Sequence, residues 1–519
     1  MATLHQKLAS SLEKLQKLQR NGRHVFRSKE FSRADRERLL AQGFLREVIK
    51  GWLISTSPDV APGDTTPWFG SFWEFCARYC EFRFGPNWHL SPEQSLFLHA
   101  EDTVIPKQVI VYSPKGTNNT ISLLFGMSLY DLKSKMPSAA DLMIKNGLRL
   151  FKPVTALVRV SEDFMRRQPS EIHVLLAGIR DSSEILAPLL EGGRTVVAGR
   201  LAGAFARFGR NDFADEIIKA MKAAGHDVRH TDPFAEQQAF GSLQTGVPPI
   251  VGRVQSFWSL HRKAIIAAFP KAPGLPKDVD AYLKFVDEIY QSDAYHSLSI
   301  EGYRVTPELI DRVRAGTWNP AAHEADRRDR DALAARGYWQ AFQSVKKTIA
   351  KIIEGADAAE LVRSAHRDWY REMFQPCVAA GLIEAQALAG YRNHPVYLQG
   401  SRHVPPRWEV VPDAMEAIFD LLEGENEPAA RIVLGHWLFG YIHPYPDGNG
   451  RMARFLMNAM LASGGYPWTV IRVDDRDTYL KALESASVEM NIGPFATFIA
   501  ERVKWSMEQA GNPAEKNKK

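Results

Sequence analysis

The chain has 519 residues, 45% hydrophobic and 24% charged, which excludes a disordered, collagen-like or miniature scaffold and suggests about three globular units. Three cysteines, Cys76, Cys80 and Cys377, are too few for a disulfide framework, so a reducing cytoplasm is the expected setting. The formal charge of +5 sits at the front: residues 1–60 hold twelve Lys and Arg against six Asp and Glu, and the remainder is close to neutral.

The opening MATLHQKLASSLEKLQKLQR interrupts every apolar run with polar residues, so neither a signal peptide nor a membrane span is expected. Leu4, Leu8, Leu12, Leu15 and Leu18 recur at helical spacing and predict a first helix that stops near Asn21-Gly22. SRADRERLLAQG predicts a basic helix capped by Ser32, carrying Arg33, Arg36 and Arg38 and burying Leu39 and Leu40. FLREVIKGWLIS then reads as two short strands joined around Lys50-Gly51. Helix, short helix, basic helix and hairpin is the element order of a winged helix-turn-helix, expected over residues 1–60. Its basic helix either enters a DNA major groove, with contacts through residues 20–55, or is a solvated face.

The Pro-, Ser- and Gly-rich stretch 55–70 predicts a linker. Residues 70–245 read as a mixed α/β domain, with strands at VIVY (110–113) and IHVLLAGI (172–179) between helices such as SSEILAPLLEGG and DFADEIIKAMKAAGH. Cys76 and Cys80 stand four apart on an aromatic-rich helix and are expected in its core rather than on a metal. Through RLLAQGFLREVIKGWLIS, LSPEQSLFLH and ADEIIKAMKAAGHDVRHTDPF, the first 240 residues resemble abortive-infection type antitoxins and transcriptional regulators. That resemblance implies DNA binding, with self-regulation or restraint of a toxic activity. Beyond GVPPIVGR (246–253) the pattern is almost wholly helical, giving an all-α domain over 255–505 and a frayed tail over 506–519.

The chemistry is concentrated at His443-Pro444-Tyr445-Pro446-Asp447-Gly448-Asn449-Gly450-Arg451-Met452-Ala453-Arg454. The apolar helix ARIVLGHWLFGYI must end where Pro444 and Pro446 force the chain off the helical path. Gly448, Asn449 and Gly450 open the next helix and allow its N–H groups to approach an anion. Arg451 and Arg454, three apart, add two permanent charges suited to a polyphosphate. Asp447 supplies a hard oxygen where Mg²⁺ can bridge protein and phosphates, and His443 has a pKa suited to taking a proton from an attacking hydroxyl near neutral pH.

These residues resemble the Fic family (filamentation induced by cyclic AMP) signature, with Tyr445 in place of the usual Phe. The resemblance implies a protein adenylyltransferase: ATP binds with Mg²⁺, and AMP moves to a Ser, Thr or Tyr hydroxyl of a target protein, releasing pyrophosphate. It makes His443 the general base, Asp447 the metal ligand, Gly448 to Gly450 the anion hole, and Arg451 with Arg454 the phosphate clamp. Gly450 separates the chain from the related Doc toxins, which carry Lys there. YRNHPVYLQGSRHVPP (391–406) resembles the family's target-holding β-hairpin flap. Tyr479 and Asn491 are candidate neighbours of the adenine, or else core and cap.

Ser297-Leu298-Ser299-Ile300-Glu301-Gly302 fits the family's inhibitory pattern. The resemblance implies that Glu301 pairs with Arg454 and keeps the γ-phosphate out. The leading expectation is thus an autoinhibited AMP transferase. The alternative is a DNA-binding regulator or toxin–antitoxin component whose Fic domain is a restrained toxin or sensor. Target identity, nucleotide preference, reaction direction and homodimer formation stay open.

Overall fold

In the computed structural model, described residues are 3–60, 63–235, 246–317 and 330–511. The leucine stripe forms α1 (Leu4–Leu18), capped by Thr3 and followed by a 3-10 turn over Arg20–Gly22. Ser32 caps α2 (Arg33–Ala41), its hydroxyl accepting from the Asp35 N–H at 3.2 Å. Strands β1 (Val25–Arg27), β2 (Leu45–Ile49) and β3 (Trp52–Ser55) make an antiparallel sheet in the order β1-β3-β2, pairing Val25 with Ile54 and Leu45 with Ser55. Between α1 and α2 the second helix of the expected trio is only a 3-10 turn, Ser28–Glu30. The buried Asp35 carboxylate ties α1 to α2, accepting from Ser11 at 2.8 Å and pairing with Lys14 at 2.6 Å. Arg38 is drawn into this cluster, 2.6 Å from the Ser11 hydroxyl, and Arg33 pairs with Glu37, leaving a smaller outward cationic face than the sequence suggests.

The expected break at 55–70 does not separate two cores. Val25, Trp52 and Ile54 share one apolar cluster with Phe72, Phe75, Cys76 and Cys80 of α3 (Thr66–Phe84) and with Val109, Val111 and Leu129 of the next sheet. Strands β4 (His89–Leu90), β5 (Gln108–Ser113), β6 (Asn119–Ser122) and β7 (Ser128–Lys133) form that sheet in the order β4-β5-β7-β6, with β5 and β7 parallel. Cys76 and Cys80 are fully buried, and burial pushes both thiols well up. The strand expected at 172–179 is instead the helix Pro169–Ala177, buried on every side. An apolar run wet on no face has neither a two-residue nor a 3.6-residue period, so the pattern could not decide, and Pro169 at the first turn favours the helix.

Described residues up to 253, with 397–404, make one compact unit; 254–396 and 405–511 make the second. The second is all-helical. Asp278 caps the helix Val279–Ile300 and Asp357 caps Ala358–Ala379, each carboxylate accepting a main-chain N–H at 2.9 Å. Helix Arg330–Ile353 packs along Ala358–Ala379, and Pro428–Ile442 packs on Asn449–Ser463. The last helix, Gly493–Gly511, continues six residues into the expected tail; 512–519 lie outside the described residues.

No β-hairpin forms over 391–406, a correction to the expected flap. Within the first unit, Arg402 and Val404 exchange main-chain hydrogen bonds with Ile105 and Thr103, and His403 bridges Val104. Pro395, Pro405 and Pro406 have no N–H to give a hairpin ladder, and the 103–105 segment takes the Arg402 carbonyl and the Val404 N–H. Among the described residues, no helix is long and apolar enough to cross a membrane.

Candidate active site

The helix Pro428–Ile442 ends because His443 turns left-handed, at φ 52° and ψ 62°. That conformation is costly for a residue with a Cβ and is held only where neighbours over-determine it. The His443 Nδ1 lies 3.2 Å from the Gly440 carbonyl, so Nδ1 carries the proton and Nε2 keeps its lone pair. Burial, first of all, pushes the imidazole down to about 4, with the Arg392 charge acting in the same direction and the Gly440 carbonyl, Glu301 and Asp447 opposing. The ring is therefore a neutral base near pH 7.

From here the chain makes a closed turn. Asn449 accepts from the Tyr445 N–H at 2.9 Å and donates to its carbonyl at 2.8 Å. The expectation for Asn449 in the anion hole concerns its main-chain N–H; its buried side chain is spent on shaping the loop. Gly448 starts the helix Asn449–Ser463 at φ 78°, and a Cβ there would lie 2.7 Å from the Phe374 ring. Tyr445 is buried and stacked on Tyr370, with centroids 3.9 Å apart and planes 8° from parallel. Its hydroxyl finds no hydrogen-bond partner among the described residues. Tyr445→Phe should therefore stabilise this unit by about 1 kcal/mol, raising its melting temperature by roughly 2–4 °C, as calorimetry would read.

Asp447 stands at the mouth, its side chain 62% exposed, with one oxygen accepting the Gly448 N–H at 2.6 Å. Arg451 is buried between the rings of Tyr303 and Phe374, 5.2 and 5.1 Å from their centroids. Among the described residues its Nε and Nη2 lack hydrogen-bond partners, and the nearest carboxylate oxygen, on Asp447, is 3.5 Å away. Buried donors left in this state suit an anionic ligand.

Arg454 is occupied. Its Nε donates to the Ser297 hydroxyl at 2.8 Å, and its Nη2 to the Ser297 carbonyl at 3.0 Å and to Glu301 Oε1 at 2.7 Å. Ser297 and Glu301 share one helix face because they are four apart at the end of Val279–Ile300. Burial alone would raise the Glu301 carboxyl, but the charges of Arg454 and Arg451 outweigh it and hold the group below the usual carboxylate range. A Cβ on Gly450 would lie 2.3 Å from Glu301 Oε1, so only glycine allows this approach. One turn earlier, Asp293 accepts from the buried Tyr338 hydroxyl at 2.6 Å.

Of the two candidate neighbours of the adenine, Tyr479 lies beside Arg454, whose charge opposes the upward push of burial on its hydroxyl. Tyr479 is buried with its hydroxyl 2.7 Å from His436 Nε2, and exposed Asn491 accepts the Gly493 N–H at 3.1 Å. Sequence reading missed Arg392, which gathers carbonyls around His443.

Residues 358–461 match the Fic/DOC family. Over 219 residues the chain is 30% identical to the protein adenylyltransferase Fic of Nematostella vectensis, covering 41% of this chain and 47% of that protein. Over 206 residues it is 36% identical to a probable protein adenylyltransferase of Aquifex aeolicus, covering 39% and 57%. The chain thus spans about half the length of these curated relatives. Among solved structures, Fic-1 (residues 134–508) of C. elegans is 17% identical, with a TM-score of 0.37, covering 65% of this chain and 93% of that one. The chain therefore carries a Fic/DOC family domain and is related through it to known protein adenylyltransferases.

Proposed function

We propose that this protein transfers AMP from ATP to a hydroxyl of a target protein, and that Glu301 restrains it by holding Arg454. The observation that carries the reading is the 2.7 Å ion pair between Glu301 and Arg454 beside Gly450, at the start of the Asn449–Ser463 helix. An anion site built from a helix N-terminus and two arginines is filled at one arginine by the protein's own carboxylate.

In the transfer step, the acceptor oxygen attacks the α-phosphorus, the bond from that phosphorus to the β-phosphate's bridging oxygen breaks, and pyrophosphate leaves. His443 Nε2 receives the hydroxyl proton. Main-chain N–H groups at 449–451 and the Arg451 guanidinium receive the phosphates, with Arg454 joining once Glu301 withdraws. Asp447 fits Mg²⁺: no protein donor reaches its second oxygen among the described residues, and Mg²⁺ is commonly held by one carboxylate plus substrate phosphates. When bound, Mg²⁺ would neutralise phosphate charge.

ATP labelled at either the α- or the γ-phosphate tests the reaction class. With Glu301→Gly protein and Mg²⁺, label should enter protein only from the α position. Incorporation from the γ position would mean phosphorylation instead.

A second reading rests on the order helix, strand, 3-10 turn, basic helix and hairpin over residues 4–55, which resembles a winged helix with the turn in place of its short helix. On it the front of the chain binds DNA and the Fic domain is a restrained toxin or sensor. Arg33 and Arg36 would then contact phosphates, and a gel shift on the gene's upstream DNA should weaken steeply as salt rises. A shift that ignores salt, or none, removes this reading.

A further inference from the structure

Resting on that transfer reading, we infer that Arg392 is a positioning residue that locks His443 in its left-handed conformation. Three consecutive carbonyls leave the end of the Pro428–Ile442 helix, and Arg392 holds all of them. Its Nε donates to the His443 carbonyl at 2.8 Å, its Nη2 to the Ile442 carbonyl at 3.3 Å, and its main-chain N–H to the Pro444 carbonyl at 2.8 Å. The same guanidinium reaches the carbonyls of His394, at 3.2 Å, and of Pro406. Arg392 is 3% exposed.

Helix C-terminal carbonyls lack partners within the helix and carry the negative end of its dipole, so a buried cation is stabilised there. A guanidinium is the one side chain whose planar fork can reach four carbonyls at once; an ammonium is a point charge and cannot. His443 gains from this arrangement what the sequence around it lacks. No glycine stands at 443 to accept a positive φ without cost, so the restraint must come from outside the motif. The charged groups facing the imidazole are Arg392, which opposes its protonation, and Glu301 and Asp447, which favour it.

The test uses full-length protein in the Glu301→Gly background, comparing Arg392 with Arg392→Lys and Arg392→Met. Expected are a roughly hundredfold fall in kcat for both variants and an ATP KM within about threefold, as for a misplaced base with an intact nucleotide site. Histidine-selective NMR, with His443→Ala assigning the resonance, should show the His443 titration midpoint rising in Arg392→Met and staying near its original place in Arg392→Lys. A Lys variant with full kcat, or a Met variant whose His443 resonance titrates unchanged, would overturn the inference. The titration needs no turnover. If the Glu301→Gly parent transfers nothing, the reaction reading fails while the role of Arg392 is still decided.

Discussion

Glu301→Gly should raise AMP incorporation roughly 30-fold at subsaturating ATP. That factor corresponds to about 2 kcal/mol, between the values typical of exposed and of buried ion pairs. The intermediate value is chosen because the Arg454 side chain is 4% exposed and that of Glu301 29%. Two effects act together: Arg454 is freed to meet a phosphate, and a negative charge is removed from the place the triphosphate must enter. The folded-state pKa of Glu301 is lowered from its ordinary 4.5, so the pair is fully charged above that pH and is lost only as pH falls through the lower folded value. Between about pH 6 and 8 the gain should therefore stay constant. Initial-rate measurements across that range check both the size and the flatness, and a gain that vanishes toward pH 8 would contradict the ion-pair account.

His443→Ala in the same background should remove transfer by a factor on the order of 10² to 10⁴, the usual worth of a positioned general base. The protein should stay folded, since the ring's one hydrogen bond among the described residues goes to Gly440 within its own turn. Because a base works when unprotonated and this one is pushed down to about 4, the parent's rate should fall only on the acid side, as pH drops toward that value. A rate that collapses near pH 6.5 instead would mean that His443 sits in a more open, solvated setting than its packing implies.

Much of this site can be read in one dimension because it is local. His443, Asp447, Gly448, Gly450, Arg451 and Arg454 lie within twelve residues, and the helix period alone puts Ser297 and Glu301 on one face. What local pattern could not supply is which group each side chain would meet. Asn449 was read for its main-chain N–H alone, and the two glycines beside it do not show that its side-chain amide clamps the turn through both main-chain groups of Tyr445. Arg392 lies fifty-one residues before His443, and nothing in its own neighbourhood marks it as a helix cap.

The fold divides in the same way. The leucine stripe of α1, the Ser32 cap and the turn at Lys50-Gly51 all carried strong local signals and formed where expected. Residues 172–179 did not, because complete burial erases the contrast on which periodicity depends. The shared core of Trp52 with α3 is likewise invisible to composition, since a Pro- and Gly-rich segment reads as a linker whether or not its two ends fold against each other.

The central claim, restrained AMP transfer at one site, is tested most directly by intact-protein mass after incubation with Mg²⁺ and ATP. Wild type, Glu301→Gly, His443→Ala and the double variant are compared. The account predicts AMP adducts on Glu301→Gly well above wild type and none on the double variant. Adducts that persist without His443, or equal labelling of wild type and Glu301→Gly, would contradict it.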